Sequence, residues 1–89
     1  MLEQDPPKIE FPCDYPIKVL ARTADDLQEA IYEIFEQHAP GFDRTRVTAR
    51  ASKKGTFTSV TITIEATGRD QLDALHKDLI ASGRVQMVI

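Results

Sequence analysis

The chain has 89 residues, with 42% hydrophobic side chains, 28% charged side chains and a formal net charge of −3. These fractions are those of an ordinary globular protein, and the length suits one hydrophobic core. The negative total opposes a protein that wraps phosphate backbones, so nucleic acid is a disfavoured partner. Apolar runs are too short for a membrane span, so we expect no membrane partner.

The start of the chain predicts a cytoplasmic protein. Residues 1–8 lack the basic start and apolar stretch of a secretory signal, and the single Cys13 cannot form an internal disulfide. The same eight residues are polar and contain a proline pair, so ordering them would gain little burial. We expect a flexible tail over residues 1–8 and a single domain over residues 9–89.

A strand and an amphipathic helix are predicted first. Residues 15–22 alternate with the two-residue period of a strand. Thr23, with Asp26 three positions later, is a short form of the capping box and predicts a helix start. Apolar residues then recur at three- and four-residue spacing as far as His38, and Pro40 ends the helix.

A β-hairpin is predicted next. Residues 46–51 and 59–66 alternate, and the polar turn 52–56 separates them. Phe57 is out of phase with the apolar residues of the second strand. A bulge near Thr58, or a different start of this strand, is therefore expected.

A second helix and a closing strand complete the pattern. Thr67 and Asp70 repeat the capping pair, an apolar stripe follows, and Gly83 ends the helix. Residues 84–89 alternate again, which predicts a short strand with Met87 towards the core.

This order of elements predicts an α+β fold, the ferredoxin-like βαββαβ sandwich. Its four-stranded antiparallel sheet carries both helices on one face, with the first and third strands at the centre. The residues that we expect to face the core are Ile17, Val19, Ala21, Leu27, Ile31, Ile34, Phe35, Val47, Val60, Ile62, Ile64, Leu72, Leu75, Leu79, Val85 and Met87.

Two stretches form a pattern that is more specific than periodicity. They are His38-Ala39-Pro40-Gly41 and Ser52-Lys53-Lys54-Gly55-Thr56-Phe57-Thr58-Ser59-Val60-Thr61. With Gln71 and Leu79, they make the chain resemble the YbeD family of small uncharacterised bacterial proteins from about Phe11 to the C-terminus. The resemblance implies a fold similar to the small-molecule-sensing ACT regulatory domains and, through a family label, a link to lipoate metabolism. It supplies no catalytic or binding residue.

Three side chains that often carry chemistry are interpreted as structural. Cys13 stands beside Asp14, whose carboxylate disfavours a thiolate. His38 and His76 lie on or beside apolar helix stripes, without neighbours at the spacing of metal ligands, and His38 is expected against the carbonyls of its helix end. We therefore predict no catalytic residue, no metal and no cofactor, and we expect a protein that is not an enzyme.

Two surfaces are candidate binding sites. The first is the open face of the sheet, with the cations Lys18, Arg22, Arg46 and Arg50. The second is the hairpin turn, where charge and close backbone approach suit an anion, and its residues are Ser52, Lys53, Lys54 and Gly55. Plainer explanations are a solvated turn and long cationic stems that cover the sheet.

Three functional classes fit this topology. A regulatory or interaction module is preferred, with an unknown protein or a small anionic ligand as partner, or a homodimer formed by sheet edges or open faces. An RNA-binding module needs aromatic side chains on the open face, where we expect only threonines and charges. An acylphosphatase-like enzyme needs a phosphate-cradling loop after the first strand, where the chain has only Arg22 and Thr23.

Overall fold

The computed structural model describes residues 10–89, so the predicted tail and domain start lie outside the described residues. The elements are β1 (Cys13–Arg22), α1 (Leu27–His38), a short 3-10 helix (Arg44–Arg46), β2 (Val47–Ala51), β3 (Phe57–Ala66), α2 (Arg69–Ala81) and β4 (Val85–Val88). The strands form one antiparallel sheet in the order β2-β3-β1-β4. The predicted ferredoxin-like topology, with β1 and β3 at the centre, is confirmed.

The core lies between the helices and one face of the sheet. β1 and β3 pair without a register shift from Cys13↔Ala66 to Arg22↔Phe57, so alternate residues of both strands point to the same face. Their buried residues meet one stripe of each helix, and Phe35 of α1 has no exposed surface. Every predicted core residue except Met87 is buried or packs against the core, which also includes Ala39 and Phe42.

A bulge in β4 makes the prediction for Met87 wrong. Met87 pairs with Leu20, but the next residue of β1, Ala21, pairs with Val85, so Gln86 is an extra residue in β4. One extra residue reverses the face on which the following side chains lie. Met87 is therefore 50% exposed on the open face, whereas Val88 packs against the core.

Of the two alternatives at Phe57, the bulge near Thr58 is wrong and the different strand start is found, because β3 begins at Phe57. β3 pairs with β1 at every position as far as Phe57, which lies opposite Arg22. Phe57 is simply in phase with the outward residues of its strand. Its half-buried ring consequently lies on the open face of the sheet.

Both helices begin without the predicted side-chain caps. The N-cap residues are Asp26 for α1 and Gly68 for α2, and neither provides a side-chain cap bond. The Thr23 hydroxyl lies 2.7 Å from the hydroxyl of Thr58. The Asp26 carboxylate accepts two hydrogen bonds from Arg84, at 2.9 and 2.7 Å. The two residues that were predicted to cap α1 instead bind Thr58 of β3 and Arg84, which lies just before β4.

The bulge in β4 predicts opposite costs for two neighbouring substitutions. We expect Val88→Ser to lower the free energy of unfolding by about 1–2 kcal/mol, because it removes a partly buried side chain from the core. Met87→Ser should change it by less than about 0.5 kcal/mol. Urea unfolding of the two variants beside the natural chain measures both values. The reverse order would show that β4 continues without the bulge.

The ion pair between Asp26 and Arg84 predicts a pH dependence of stability. The hydrogen bond from Arg84 lowers the pKa of Asp26 below its usual 3.8. A lowered pKa stabilises the folded state above 3.8, and that contribution is lost as the pH falls through the folded-state pKa. We therefore expect Asp26→Asn to destabilise the protein at neutral pH and to make no difference in strong acid.

Urea unfolding at neutral pH and well below pH 3.8 tests this expectation. Asp25→Asn is the matched control, because Asp25 makes no ion pair within residues 10–89. A destabilisation by Asp26→Asn that is equal at both pH values would contradict the role of the ionised carboxylate.

Candidate partner-binding face

The sheet face opposite the helices carries an uncovered apolar strip. Its residues come from three strands and the C-terminus, and they are Leu20, Phe57, Met87 and Ile89. Leu20 and Phe57 are half-buried, whereas Met87 and Ile89 are 50% and 69% exposed. We call these four residues the apolar strip. In the sequence, the alternation of residues 15–22 places Leu20 on this face, and the out-of-phase position of Phe57 is a second signal of the strip.

Exposed cations surround the apolar strip. They are Lys18, Arg22, Arg50 and Lys53, and we call them the cationic rim. Within residues 10–89, none of the four forms an ion pair. A shallow depression of about 500 Å³ lies on this face, lined by Lys18, Leu20, Arg50, Ala51, Ser52, Lys53, Phe57, Ser59 and Ile89. The fold thus brings the two predicted sites, the open face and the hairpin turn, together on one surface.

Arg46 lies apart from the cationic rim. It ends the 3-10 helix before β2, and its Nη1 lies 3.2 Å from Oδ2 of Asp14. Both side chains line a cleft at the opposite end of the sheet, beside Gly41 and Glu65. Because Asp14 already neutralises it, Arg46 is the predicted open-face cation with the least charge to offer a partner.

Hydrogen bonds within the hairpin turn use two of its residues for structure. The Ser52 amide donates to the carbonyl of Phe57 at 2.8 Å, and the Ser52 hydroxyl accepts from the Phe57 amide at 3.2 Å. The Gly55 amide donates to the Ser52 carbonyl at 2.9 Å, with a φ of 72° at Gly55. Lys53 and Lys54 stay exposed. The turn therefore offers cationic side chains, whereas its amides at Gly55 and Phe57 are already bonded.

The residues at the end of α1 form a polar link between the two helices. His38 Nε2 lies 2.6 Å from Asp78 Oδ2, so the ring contacts α2 and the predicted contact with carbonyls of its own helix end is wrong. The His38 carbonyl accepts a hydrogen bond from Gln71 Nε2 at 2.8 Å. Gln71 Oε1 in turn accepts from the Thr67 amide at 2.8 Å. These bonds fix the helix ends above the sheet.

Two candidate side chains remain, Cys13 and His76. Cys13 is a half-buried free thiol at the start of β1. His76 is exposed on α2, beside Arg69 and Asp73, at a cleft of about 280 Å³. In the part of the chain that the structure describes, no three metal-ligating side chains come together.

No helix within residues 10–89 has the length and apolar character needed to cross a membrane.

The architecture defines a small α+β protein of the ferredoxin-like class. The solution structure of protein HP0495 from Helicobacter pylori is similar, with a TM-score of 0.75 at 17% identity, over 98% of this chain and 91% of that one. A second solution structure of HP0495 matches with a TM-score of 0.57 at 15% identity, over 98% and 96%. At these identities, the likeness shows the fold alone.

Sequence comparison identifies the family. Residues 6–89 match the family model "Protein of unknown function (DUF493)". A UPF0250 protein of Pseudomonas paraeruginosa is 49% identical over 94% of this chain and 91% of its own length. A UPF0250 protein of Ectopseudomonas mendocina is 46% identical over 94% and 92%. The chain belongs to the DUF493 family, also called UPF0250, and the resemblance to YbeD-like proteins is confirmed.

Proposed function

We propose that this chain is a non-enzymatic regulatory or protein-interaction module of the cytoplasm, and that its partner binds the open sheet face. The observation that supports the proposal is the apolar strip inside a rim of cations without ion pairs. Exposed apolar area provides contact energy, and charge of one sign selects and orients the partner.

The distribution of charge favours an acidic partner. The net charge of the chain is −3. Of the lysines and arginines in residues 10–89 that make no ion pair, only Arg69 and Lys77 lie away from the open face and its hairpin turn. A local positive surface on an acidic protein attracts carboxylates to that surface and repels them elsewhere. The partner that fits is a polypeptide segment with carboxylates around apolar side chains.

The shape of the face favours a polypeptide over a small anionic ligand. Sites for small molecules bury most of the ligand surface in a concave pocket. Here the depression is bordered by the exposed residues Lys18, Arg50, Ser52 and Lys53. A flat surface of this kind suits a protein that lies across several strands.

RNA is the second candidate partner because of Phe57. No aromatic side chain was expected on the open face, yet this ring lies there beside Arg22. A partly exposed aromatic ring can stack on a base, and the cationic rim can contact phosphates. A single half-buried ring, on a chain of net charge −3, is weaker support for RNA than the apolar strip and the cationic rim are for an acidic protein segment.

The regulatory role similar to that of ACT domains, and the link to lipoate metabolism, are further parts of the proposal. Both rest on the resemblance to YbeD-like proteins. Capture on the immobilised chain from a native lysate tests the link. Repeated recovery of partners that include no enzyme of lipoate metabolism would count against it.

Removing the cationic rim should weaken partner binding. We expect Lys18→Ser, Arg50→Ser and Lys53→Ser together to reduce the captured partner by about tenfold, because exposed ion pairs contribute about 0.2–1 kcal/mol each. Higher salt should weaken capture by the natural chain for the same reason. Quantitative mass spectrometry of the captured proteins measures both effects.

The matched control replaces cations outside the face, with Arg69→Ser and Lys77→Ser together. It should retain the partner, whereas Phe57→Ser should lose it through the apolar strip. Equal recovery by all variants would exclude the open face. Nuclease treatment that abolishes capture would replace the acidic protein with RNA as the partner.

A further inference from the structure

We propose that two copies of the chain pair through the outer edges of their β2 strands, which joins two four-stranded sheets into one continuous sheet. The proposed interface is distinct from the open face. It concerns the association of the protein with itself and stands whether or not the open face binds a partner.

The free edge of β2 presents unpaired backbone groups. β2 lies at the end of the sheet and pairs with β3 alone. The Ser52 amide donates to Phe57 on the β3 side. Backbone groups alternate between the two sides of an antiparallel strand, so those of Thr48 and Arg50 also point towards β3.

The remaining residues of β2 point the other way. Val47, Ala49 and Ala51 direct their N–H and C=O groups out of the sheet. Outside the strand ladders of the sheet, no backbone hydrogen bond from these three amides occurs within residues 10–89, and every residue of β2 after Val47 is exposed. The edge is therefore a template for another strand.

The other free edges of the sheet are protected. Lys18 exchanges backbone hydrogen bonds with Ile89, at 2.8 and 3.2 Å. Two residues before Lys18, Pro16 faces the same side of β1, and it has no N–H to donate. In β4, the extra residue Gln86 interrupts the ladder. Proline and bulges are among the devices by which proteins block edge pairing.

β2 has neither of these devices. It contains no proline, and its pairing with β3 runs without a shift from Val47↔Ile62 to Ala51↔Thr58. Because the ladder with β3 contains no bulge, the backbone groups on the free side of β2 are also regularly spaced. Among the sheet edges within residues 10–89, β2 is thus the one suited to strand pairing.

The β2 edge is complementary to itself. A two-fold axis at Ala49 places this residue opposite Ala49 of the second copy, and Val47 opposite Ala51. Each of these facing pairs exchanges two backbone hydrogen bonds. Such a contact uses the same surface on both copies and closes as a dimer. Self-complementarity of the register is the reason for choosing a second copy as the occupant of this edge.

Charge and size also fit this register. On the open face, Arg50 lies opposite Thr48 of the second copy, so no two cations face each other directly. On the helix side, the exposed methyl groups of Ala49 and Ala51 allow close approach. The two Arg50 side chains are diagonal neighbours at about 7–8 Å, so added salt should strengthen the dimer. Both open faces then lie side by side on one surface.

Sedimentation equilibrium of the full chain tests the proposal. We expect the mass to rise with concentration from 10.0 kDa towards twice that value. Ala49→Pro should weaken the dimer by at least tenfold, about 1.4 kcal/mol, because it removes an outward N–H. A proline there disturbs no hydrogen bond of the sheet, so circular dichroism should show an unchanged monomer fold. Gln86→Pro, at the opposite edge, is the matched control and should leave the dimer unaffected.

Amide exchange by NMR adds a residue-level measurement. The amides of Val47, Ala49 and Ala51 should exchange slowly in concentrated samples and rapidly on dilution, whereas those of Thr48 and Arg50 stay protected in both. A monomer at every concentration would overturn the proposal, as would a dimer that survives Ala49→Pro. Ala49→Pro leaves the side chains of the open face unchanged. Partner capture with this variant therefore tests the proposed function independently of the dimer.

Discussion

The pairing of β1 with β3 is the constraint on which the rest of the structure depends. The two strands pair at each position, from Cys13 with Ala66 to Arg22 with Phe57. Because side chains alternate along a strand, one register decides both faces of the sheet. A slip of one residue would turn the cations of β1 towards the core, where an unpaired charge costs several kcal/mol. The register is therefore strongly specified.

Polar contacts at the edges of the core then position the helices. Arg84 holds the start of α1 through Asp26, at 2.7 Å, and Asp78 of α2 holds its end through His38, at 2.6 Å. The core itself is apolar and contains no buried polar or charged residue within residues 10–89. Apolar burial supplies the driving force for folding, while these contacts at the surface select one orientation of the helices.

Two surfaces are left available for interaction once the helix-covered face is buried. The open face combines the apolar strip with the cationic rim, and its chemistry suits an acidic partner. The β2 edge offers backbone groups in a regular row and suits a second copy. The proposed dimer would present two coplanar open faces, an arrangement that raises the apparent affinity for a partner with two matching segments.

The sequence by itself determined the element order, the topology and most of the core, because periods of two and of three to four residues report local geometry directly. It also located Lys18, Arg22 and Arg50 on the open face by alternation, and Lys53 by the composition of the turn. Local pattern carries no information about long-range partners, however. That the open face and the turn form one surface follows from the hairpin register.

Only the tertiary structure decided the remaining features. The capping function expected of Thr23 and Asp26 was replaced by contacts with Thr58 and Arg84, residues distant in sequence. The exposure of Met87 depends on a bulge that β4 adopts while pairing with β1. Pairing across strands and ion pairs between elements depend on how separate segments meet in space. Periodicity within one segment records which face is apolar but not the partner that the segment meets.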